Sequence, residues 1–400
     1  MPGEADRLTV VGIGADGWSG LSEASRAVIT AADAVIGAPR HLDSLPAVPG
    51  QQRQAFPSPL RTGLAALLDE FTGRHVVVLA SGDPMLSGVG GTLVEMLGTN
   101  RVEVLPAVSS VALARARLGW PAESAAVVRV AGRDPHAVLR ELAPGRRILV
   151  LSADENTPAD LAAMLTANGY GESAMTVLGD LGSDAESAWQ TTAATFTGSV
   201  PRLNIVALVA AGPLLAGWAT GLPDDAFEHD GQLTKRDLRA SALARLLPAP
   251  GQLLWDVGAG AGSVGIEWMR SHPSCRAVAV ESSQERAQRI SRNARHLGVP
   301  ALDVVCGTAP VALADLPAPD AIFLGGGVAA ALPTCLAVLR PGGRLVAHAV
   351  TIETEAVLAD GYRDHGGELT RIQVEHAAPL GGFTGWTPGR AVTQWAWTHP

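Results

Sequence analysis

Short apolar runs that end at a glycine or an acid, each followed by a stretch of helical period, repeat along this chain. Leu8-Thr9-Val10-Val11-Gly12-Ile13-Gly14 predicts a strand and Ala15-Asp16-Gly17-Trp18 a loop, after which Ser22 caps a helix to about Ala32. Ala34-Val35-Ile36-Gly37 and His75-Val76-Val77-Val78-Leu79-Ala80 predict the next strands. The second of these runs into Ser81-Gly82-Asp83-Pro84, with a helix from near Gly88. Val102-Glu103-Val104-Leu105 leads through Pro106-Ala107-Val108-Ser109-Ser110 into a helix over 111–118. Alternation of this kind predicts an α/β fold with a mostly parallel sheet.

A second lobe begins after Trp120-Pro121, with strands at 127–132, 147–151, 174–178 and 203–209 and a helix opened by Thr157-Pro158 with proline at N1. Residues 212–231, rich in glycine, proline and acids, form a candidate linker, although Leu214, Leu215, Trp218 and Phe227 give it apolar side chains to pack. The expected organisation is a domain over 1–211 (lobes about 1–120 and 121–211), the linker, and a second domain over 232–400. That second domain opens with Leu233-Thr234-Lys235-Arg236-Asp237-Leu238-Arg239, Thr234 being the expected N-cap of a helix. Strands follow at 253–257, 277–280, 302–306, 320–324 and 345–350. Residues 369–374 and 391–397 predict an antiparallel pair joined through Gly381-Gly382-Phe383-Thr384-Gly385-Trp386.

The chemistry concentrates in Leu253-Leu254-Trp255-Asp256-Val257-Gly258-Ala259-Gly260-Ala261-Gly262-Ser263-Val264-Gly265. A strand ends in an acid, alternate glycines turn the chain, and a helix begins. Such a turn lets a ligand approach the main chain at a helix N-terminus. Gly260 to Gly265 fits the dinucleotide pattern literally, which leaves a nicotinamide oxidoreductase open. Asp256, however, opposes a pyrophosphate and suits a cationic amino group, and Glu281 ends the next apolar run, where a carboxylate can accept two ribose hydroxyls.

At 400 residues the length suggests two or three domains. A net charge of −9 speaks against a nucleic-acid surface, and no apolar run is long enough to span a membrane. Met1-Pro2-Gly3-Glu4-Ala5-Asp6 has no signal-peptide pattern, and Cys275, Cys306 and Cys335 have no metal-ligand spacing. They read as buried small apolar residues in a reducing cytoplasm. No metal is expected. Lys235 is the only lysine, in a chain that otherwise uses arginine.

The acid, glycine turn and second acid resemble the class I methyltransferases, which implies S-adenosylmethionine at Asp256, Gly258, Ala259, Gly260, Ala261, Gly262 and Glu281, with Gly307-Thr308 where adenine sits and Thr234 nearby. Ala261 stands where relatives often carry Thr, so that hydroxyl is lost. In the first half, Val11-Gly12-Ile13-Gly14, Ser81-Gly82-Asp83-Pro84, Pro106-Ala107-Val108-Ser109-Ser110 and Leu178-Gly179-Asp180-Leu181-Gly182 resemble in order the tetrapyrrole (corrin and uroporphyrinogen) methylases. That resemblance implies a cleft between two α/β lobes and a second S-adenosylmethionine held around Gly12, Gly14, Gly82, Asp83, Pro84, Ser109 and Ser110. From Leu233 on, the order Leu-Thr-Lys-Arg, Trp-Asp-Val-Gly-Ala-Gly-Ala-Gly, Phe-Leu-Gly-Gly-Gly and the glycine–tryptophan tail resembles the decarboxylating C15 methylases of cobalamin biosynthesis.

Together these resemblances imply two methyl transfers, to C5 and C15 of a reduced, ring-contracted tetrapyrrole, with the C12 acetate leaving as carbon dioxide. Lys235, Arg236, Arg239 and Trp386 are the candidate substrate contacts, and His348 and Glu353 the candidate catalytic residues. No nucleophile–base pair is legible in the first half, which suits transfer to an already nucleophilic carbon. Single-domain relatives are oligomeric, so a homo-oligomer is expected. A non-catalytic protein with degenerate methylase folds is the remaining alternative, and the intact glycine loops count against it.

Overall fold

A computed structural model describes residues 8–214 and 217–400. The expectations at Met1–Asp6 and Leu215 lie outside the described residues. The chain divides into two compact units: the chain up to Arg133 with Pro144–Pro213, and Asp134–Ala143 with Leu214–Pro400. Each is taken by itself.

In the first unit, β1 (Leu8–Ile13), β2 (Ala34–Gly37), β3 (Gln52–Ala55), β4 (Val76–Ser81) and β5 (Val102–Leu105) form a parallel sheet in the order 3-2-4-1-5. Helices α1 (Glu23–Ala31), α2 (Pro39–Asp43), α3 (Leu60–Asp69) and α4 (Val89–Leu97) connect these strands. Val10 and Val78 enter one apolar cluster while Val11, Val77 and Leu79 enter another. Both faces of the sheet are therefore buried, which is why its central strands are continuous apolar runs. Ser22 caps α1 by accepting from the Ser25 amide at 3.1 Å, as expected. Strand β3 has no apolar run because it lies at the sheet edge and is mostly exposed.

Helix α5 (Ser110–Leu118) leads to a second sheet of β6 (Ala125–Arg129), β7 (Arg147–Leu151), β8 (Ala174–Gly179), β9 (Ser187–Thr192) and β10 (Asn204–Val209), ordered 6-7-10-8-9. Helix α6 (Thr157–Ala167) joins β7 to β8. Only β6 and β7 pair in parallel; the other three pairings are antiparallel. This lobe is thus mixed, unlike the parallel sheet of the first. Strand β10 inserts between β7 and β8, and β9 returns directly from β8 without the helical crossover that a parallel neighbour needs.

The second unit begins its main body with α7 (Arg236–Leu246). The strands are β11 (Leu253–Val257), β12 (Arg276–Glu281), β13 (Asp303–Cys306), β14 (Ala321–Leu324), β15 (Arg344–Ala349) and β16 (Glu368–Ile372). They alternate with α8 (Ser263–Ser271), α9 (Gln284–His296), α10 (Val328–Val338) and α11 (Ile352–His365). A ribbon of β17 (Glu375–Leu380) and β18 (Phe383–Pro388) precedes β19 (Val392–Thr398). The seven-stranded sheet runs 13-12-11-14-15-19-16, with the first five strands parallel and β19 antiparallel to both neighbours. Successive strands run to one side of β11 and then to the other, so the order reverses there; open α/β sheets bind ligands in the crevice at such a point. The pair β16–β19 agrees with expectation, but Phe383–Trp386 belongs to the β17–β18 ribbon rather than to a loop. Cys275 and Cys335 are buried, whereas Cys306 is exposed because β13 is an edge strand. Among the described residues no helix is long and apolar enough to cross a membrane, and no cluster of His, Cys, Asp or Glu could hold a metal.

Candidate active sites

In the first unit the three motifs converge by strand register. Ile13 lies beside Ser81, the Gly82 amide donates to the Ile13 carbonyl at 2.8 Å, and Val11 lies beside Leu105. Gly12 permits this closure, because a Cβ there would stand 2.2 Å from the Gly82 carbonyl oxygen and 2.5 Å from the Ala107 nitrogen. Gly14, Gly82, Asp83, Ser109 and Ser110 line a cavity of about 90 Å³ that also touches Leu151, Leu178 and Asn204 of the second lobe. Gly12 and Pro84 do not line it. The Ser109 hydroxyl accepts from the Ala112 amide as the N-cap of α5, and the Asp83 carboxylate accepts from the Met85 amide at 2.8 Å. Alongside lies a larger cleft of about 640 Å³. One serine and one histidine do meet in the first unit, Ser81 Oγ lying 3.3 Å from His41 Nε2, without making a nucleophile–base pair. Arg40 Nη2 also donates to that oxygen at 2.6 Å, so the serine is tied rather than activated.

In the second unit the glycine turn crosses the end of β12. The amides of Gly258 and Ala259 donate to the Val280 carbonyl, and Gly258, Gly260 and Gly262 have φ of +68°, +59° and +76°. Gly258 is required twice over, since a Cβ would also stand 2.5 Å from the Gly326 nitrogen. Glu281, 4% exposed, accepts from the Gly260 amide on Oε2 at 2.9 Å and from the Ser283 amide on Oε1 at 3.0 Å. The Gly307 amide donates to the Glu281 carbonyl at 2.9 Å, so Gly307-Thr308 shares this rim. Asp256 is 1% exposed and accepts from the Gly265 amide at 2.8 Å, while its Oδ1 is buried with no hydrogen-bond partner. Burial pushes its pKa up to about 7. Asp256 therefore braces the first turn of α8 from beneath the loop rather than presenting an open charge to an amino group. Ala261 is buried, and its carbonyl accepts from Asn293 Nδ2, which also donates to the Glu228 carbonyl. Asn293 fastens the loop to residue 228, and no sequence motif pointed to it.

The remaining candidates separate. Arg239 is fully buried and pairs with Glu267 at 2.5 Å. It also donates to the carbonyls of Thr234 and Leu222 and lies over the Phe227 ring. It is consumed inside the unit and not available at a substrate edge. Glu267 in turn accepts from the Gly221 and Leu222 amides, and Leu222 and Phe227 are buried, so this part of the expected linker is packed. Thr234 does not cap α7. That position falls to Lys235, which makes no side-chain cap, and the Thr234 carbonyl is engaged by Arg239. Lys235 is exposed, 3.5 Å from Asp224, and Arg236 is exposed at the first position of α7. Trp386 is 72% exposed on the ribbon. His348 is the penultimate residue of β15, is 9% exposed, hydrogen-bonds Gln394 at 2.9 Å and meets Phe323 edge-on. Burial pushes its pKa down to about 4. Glu353 lies in the first turn of α11, its carboxylate held below the usual range by its own amide and the Thr351 hydroxyl.

Residues 7–197 match the family of Tetrapyrrole (Corrin/Porphyrin) Methylases, and residues 225–399 match the Precorrin methyltransferase domain. A Sinorhizobium protein named precorrin-6Y C(5,15)-methyltransferase [decarboxylating] is 46% identical over 98% of this chain and 96% of its own length. A cobalt-precorrin-7 C(5)-methyltransferase of Salmonella typhimurium is 32% identical over 42% of this chain and 83% of its own length. A probable cobalt-precorrin-6B C(15)-methyltransferase (decarboxylating) of Pyrobaculum calidifontis is 38% identical over 41% of this chain and 88% of its own length. Two joined methylase folds, with glycine cradles at the carboxyl ends of their parallel strands, define an S-adenosylmethionine-dependent methyltransferase. The near-full-length match places it further: the chain belongs to the precorrin-6Y C(5,15)-methyltransferase (decarboxylating) family.

Proposed function

We propose that this chain methylates a reduced precorrin-6 at C5 and at C15 and releases the C12 acetate as carbon dioxide, with one S-adenosylmethionine site in each unit. The observation that carries the reading is the pair of separate cradles, Gly14/Gly82/Ser109 and Gly258/Gly260/Glu281, each at the mouth of its own parallel sheet. The relatives named for C(5) or C(15) alone, each matching about two-fifths of the chain, support that division.

The residues fit the cofactor. In the second unit, Glu281 is fixed by two amides at the rim of the turn and keeps lone pairs for hydroxyl donors. The bound cofactor supplies an electrophilic methyl group. The chain's task is to hold a nucleophilic ring carbon in line with it and to exclude water, which is where positioning contributes most. Lys235 and Arg236 at the start of α7 offer cations to the ring's carboxylates, and Trp386 offers a flat apolar face. Glu353, exposed and ionised at neutral pH, is the better proton acceptor, because His348 is buried and committed to Gln394. Arg239 has no part in substrate contact. We also propose a homo-oligomer.

Titrating the full chain with S-adenosylhomocysteine by calorimetry should give two sites. A stoichiometry of one with both units folded would overturn the two-site reading. Isotope-labelled methyl incorporation at C5 and C15, together with carbon dioxide release, tests the reaction.

A further inference from the structure

The larger cleft of the first unit is positively charged in a chain of net charge −9. Arg40, Arg129 and Arg202 line it, and among the described residues Asp180 is the only acid that does. Arg40 has no ion-pair partner among the described residues; it feels Asp180 and Arg202 at longer range. A cleft wall that carries three arginines against one acid favours an anion. S-Adenosylmethionine carries a net positive charge, whereas the macrocycle carries several carboxylates; Arg40 and Ser81 line both this cleft and the smaller cavity given to the cofactor, so they stand at the border of the two.

Ser81 and His41 sharpen this selectivity. His41 is 4% exposed, and its Nδ1 is buried with no partner. Burial next to Arg40 keeps the ring neutral at neutral pH, so it carries one N–H. A proton on Nδ1 would be an orphaned buried donor, the rarer and costlier arrangement; on Nε2 it is donated to Ser81 Oγ. That oxygen accepts from Arg40 as well, so both its lone pairs are filled. The one remaining valence of the hydroxyl is its own proton, which is free for the cleft that Ser81 lines.

We infer that Arg40 and the Ser81 hydroxyl form an anchor for one peripheral carboxylate of the macrocycle, with His41 as the positioning residue that fixes the direction of the Ser81 proton. This inference rests on the C5-methylation reading above. A carboxylate there accepts a charge-assisted bond from the guanidinium and a second from the hydroxyl.

The test is steady-state kinetics of C5 methylation by the full chain, with S-adenosylhomocysteine affinity measured alongside. Arg40→Gln should raise the macrocycle KM by about tenfold or more, the scale of one lost charge-assisted bond, and leave kcat within about threefold. Arg40→Lys should recover part of the loss, since it keeps charge but not the fork. Ser81→Ala should raise KM by a smaller factor. Because both residues border the cofactor cavity, cofactor affinity in the first unit should fall by much less than the macrocycle KM rises in all three, and retained cofactor binding also shows that the variants fold. An unchanged KM in Arg40→Gln, or a fall in cofactor affinity as large as the rise in KM, overturns the anchor. If the wild-type chain transfers no methyl group to C5, the reading beneath it falls, and the anchor with it.

Discussion

Glu281 accepts the Gly260 amide proton on one carboxylate oxygen and the Ser283 amide proton on the other. The strand-end acid and the glycine turn are therefore one construction, in which the main chain fixes the carboxylate before a ligand arrives. Preorganisation of this kind removes ordering cost from binding. Glu281→Gln must turn an NH2 toward one of the two amides, so the cradle distorts as well as losing charge. The expected result is at least about tenfold weaker S-adenosylhomocysteine binding at the second unit, on the scale of one charge-assisted bond, with the first unit unaffected. Two-site calorimetry reads both; equal loss at both sites, or none, would refute the role given to Glu281.

The Arg239–Glu267 pair is the buried ionic hub of the second unit, with side chains 0% and 2% exposed. Arg239→Met strands a buried carboxylate and should cost about 3–5 kcal/mol in chemical denaturation. Glu267→Gln should also destabilise, since Glu267 receives two amides besides the guanidinium. In the double variant the losses should fall short of their sum by more than about 1 kcal/mol. Additive losses would mean that the pair is not coupled.

What was legible in the sequence follows from what each residue touches. Strands β1, β4, β11 and β12 have both faces buried, so local composition announces them. Strands β3 and β9 are polar edge strands, and only pairing defines them. The glycine turn and Glu281 are contiguous enough to read as a motif. Arg239 is not, because one arginine on a polar helix looks like any solvated cation until Glu267 closes over it. His41 and Ser81 are forty positions apart and meet only through tertiary folding.

Asp256 should give the second unit a distinctive pH dependence. Burial raises its folded pKa to about 7 from the 3.8 of a free aspartate side chain. The folded state thus holds a proton that the unfolded chain has released across that interval. The stabilising contribution is complete below about pH 4 and is lost as pH rises through 7. Wild type should therefore lose stability relative to Asp256→Asn between about pH 5 and pH 7, by up to about 1.4 kcal/mol per pH unit. His41 and His348, both held neutral down to about 4, act oppositely as acid increases, but they are common to both proteins and cancel in the difference. A pH-independent difference in denaturation midpoint would show that Asp256 is ionised throughout.

Dividing the chain should divide the chemistry, and the cut has a structural constraint. The second unit includes Asp134–Ala143, far from the rest of it in sequence. Arg295 pairs with Asp134 at 2.9 Å, Trp218 Nε1 donates to the Arg140 carbonyl at 3.2 Å, and a Cβ on Gly298 would stand 2.2 Å from the Arg140 nitrogen. A fragment of residues 214–400 forfeits that packing. It should unfold at lower denaturant than the same unit in the full chain, by about 1–3 kcal/mol for one exposed ion pair, one hydrogen bond and the uncovered surface. Adding residues 1–213 or a peptide spanning 130–146 should restore part of the loss. In methyl-incorporation and carbon dioxide assays by mass spectrometry, residues 1–213 should methylate C5 alone, and the 214–400 fragment should methylate C15 and release all of the carbon dioxide. Carbon dioxide from the 1–213 piece would refute the division; a 214–400 fragment as stable as the unit in the full chain would remove any structural role for 134–143.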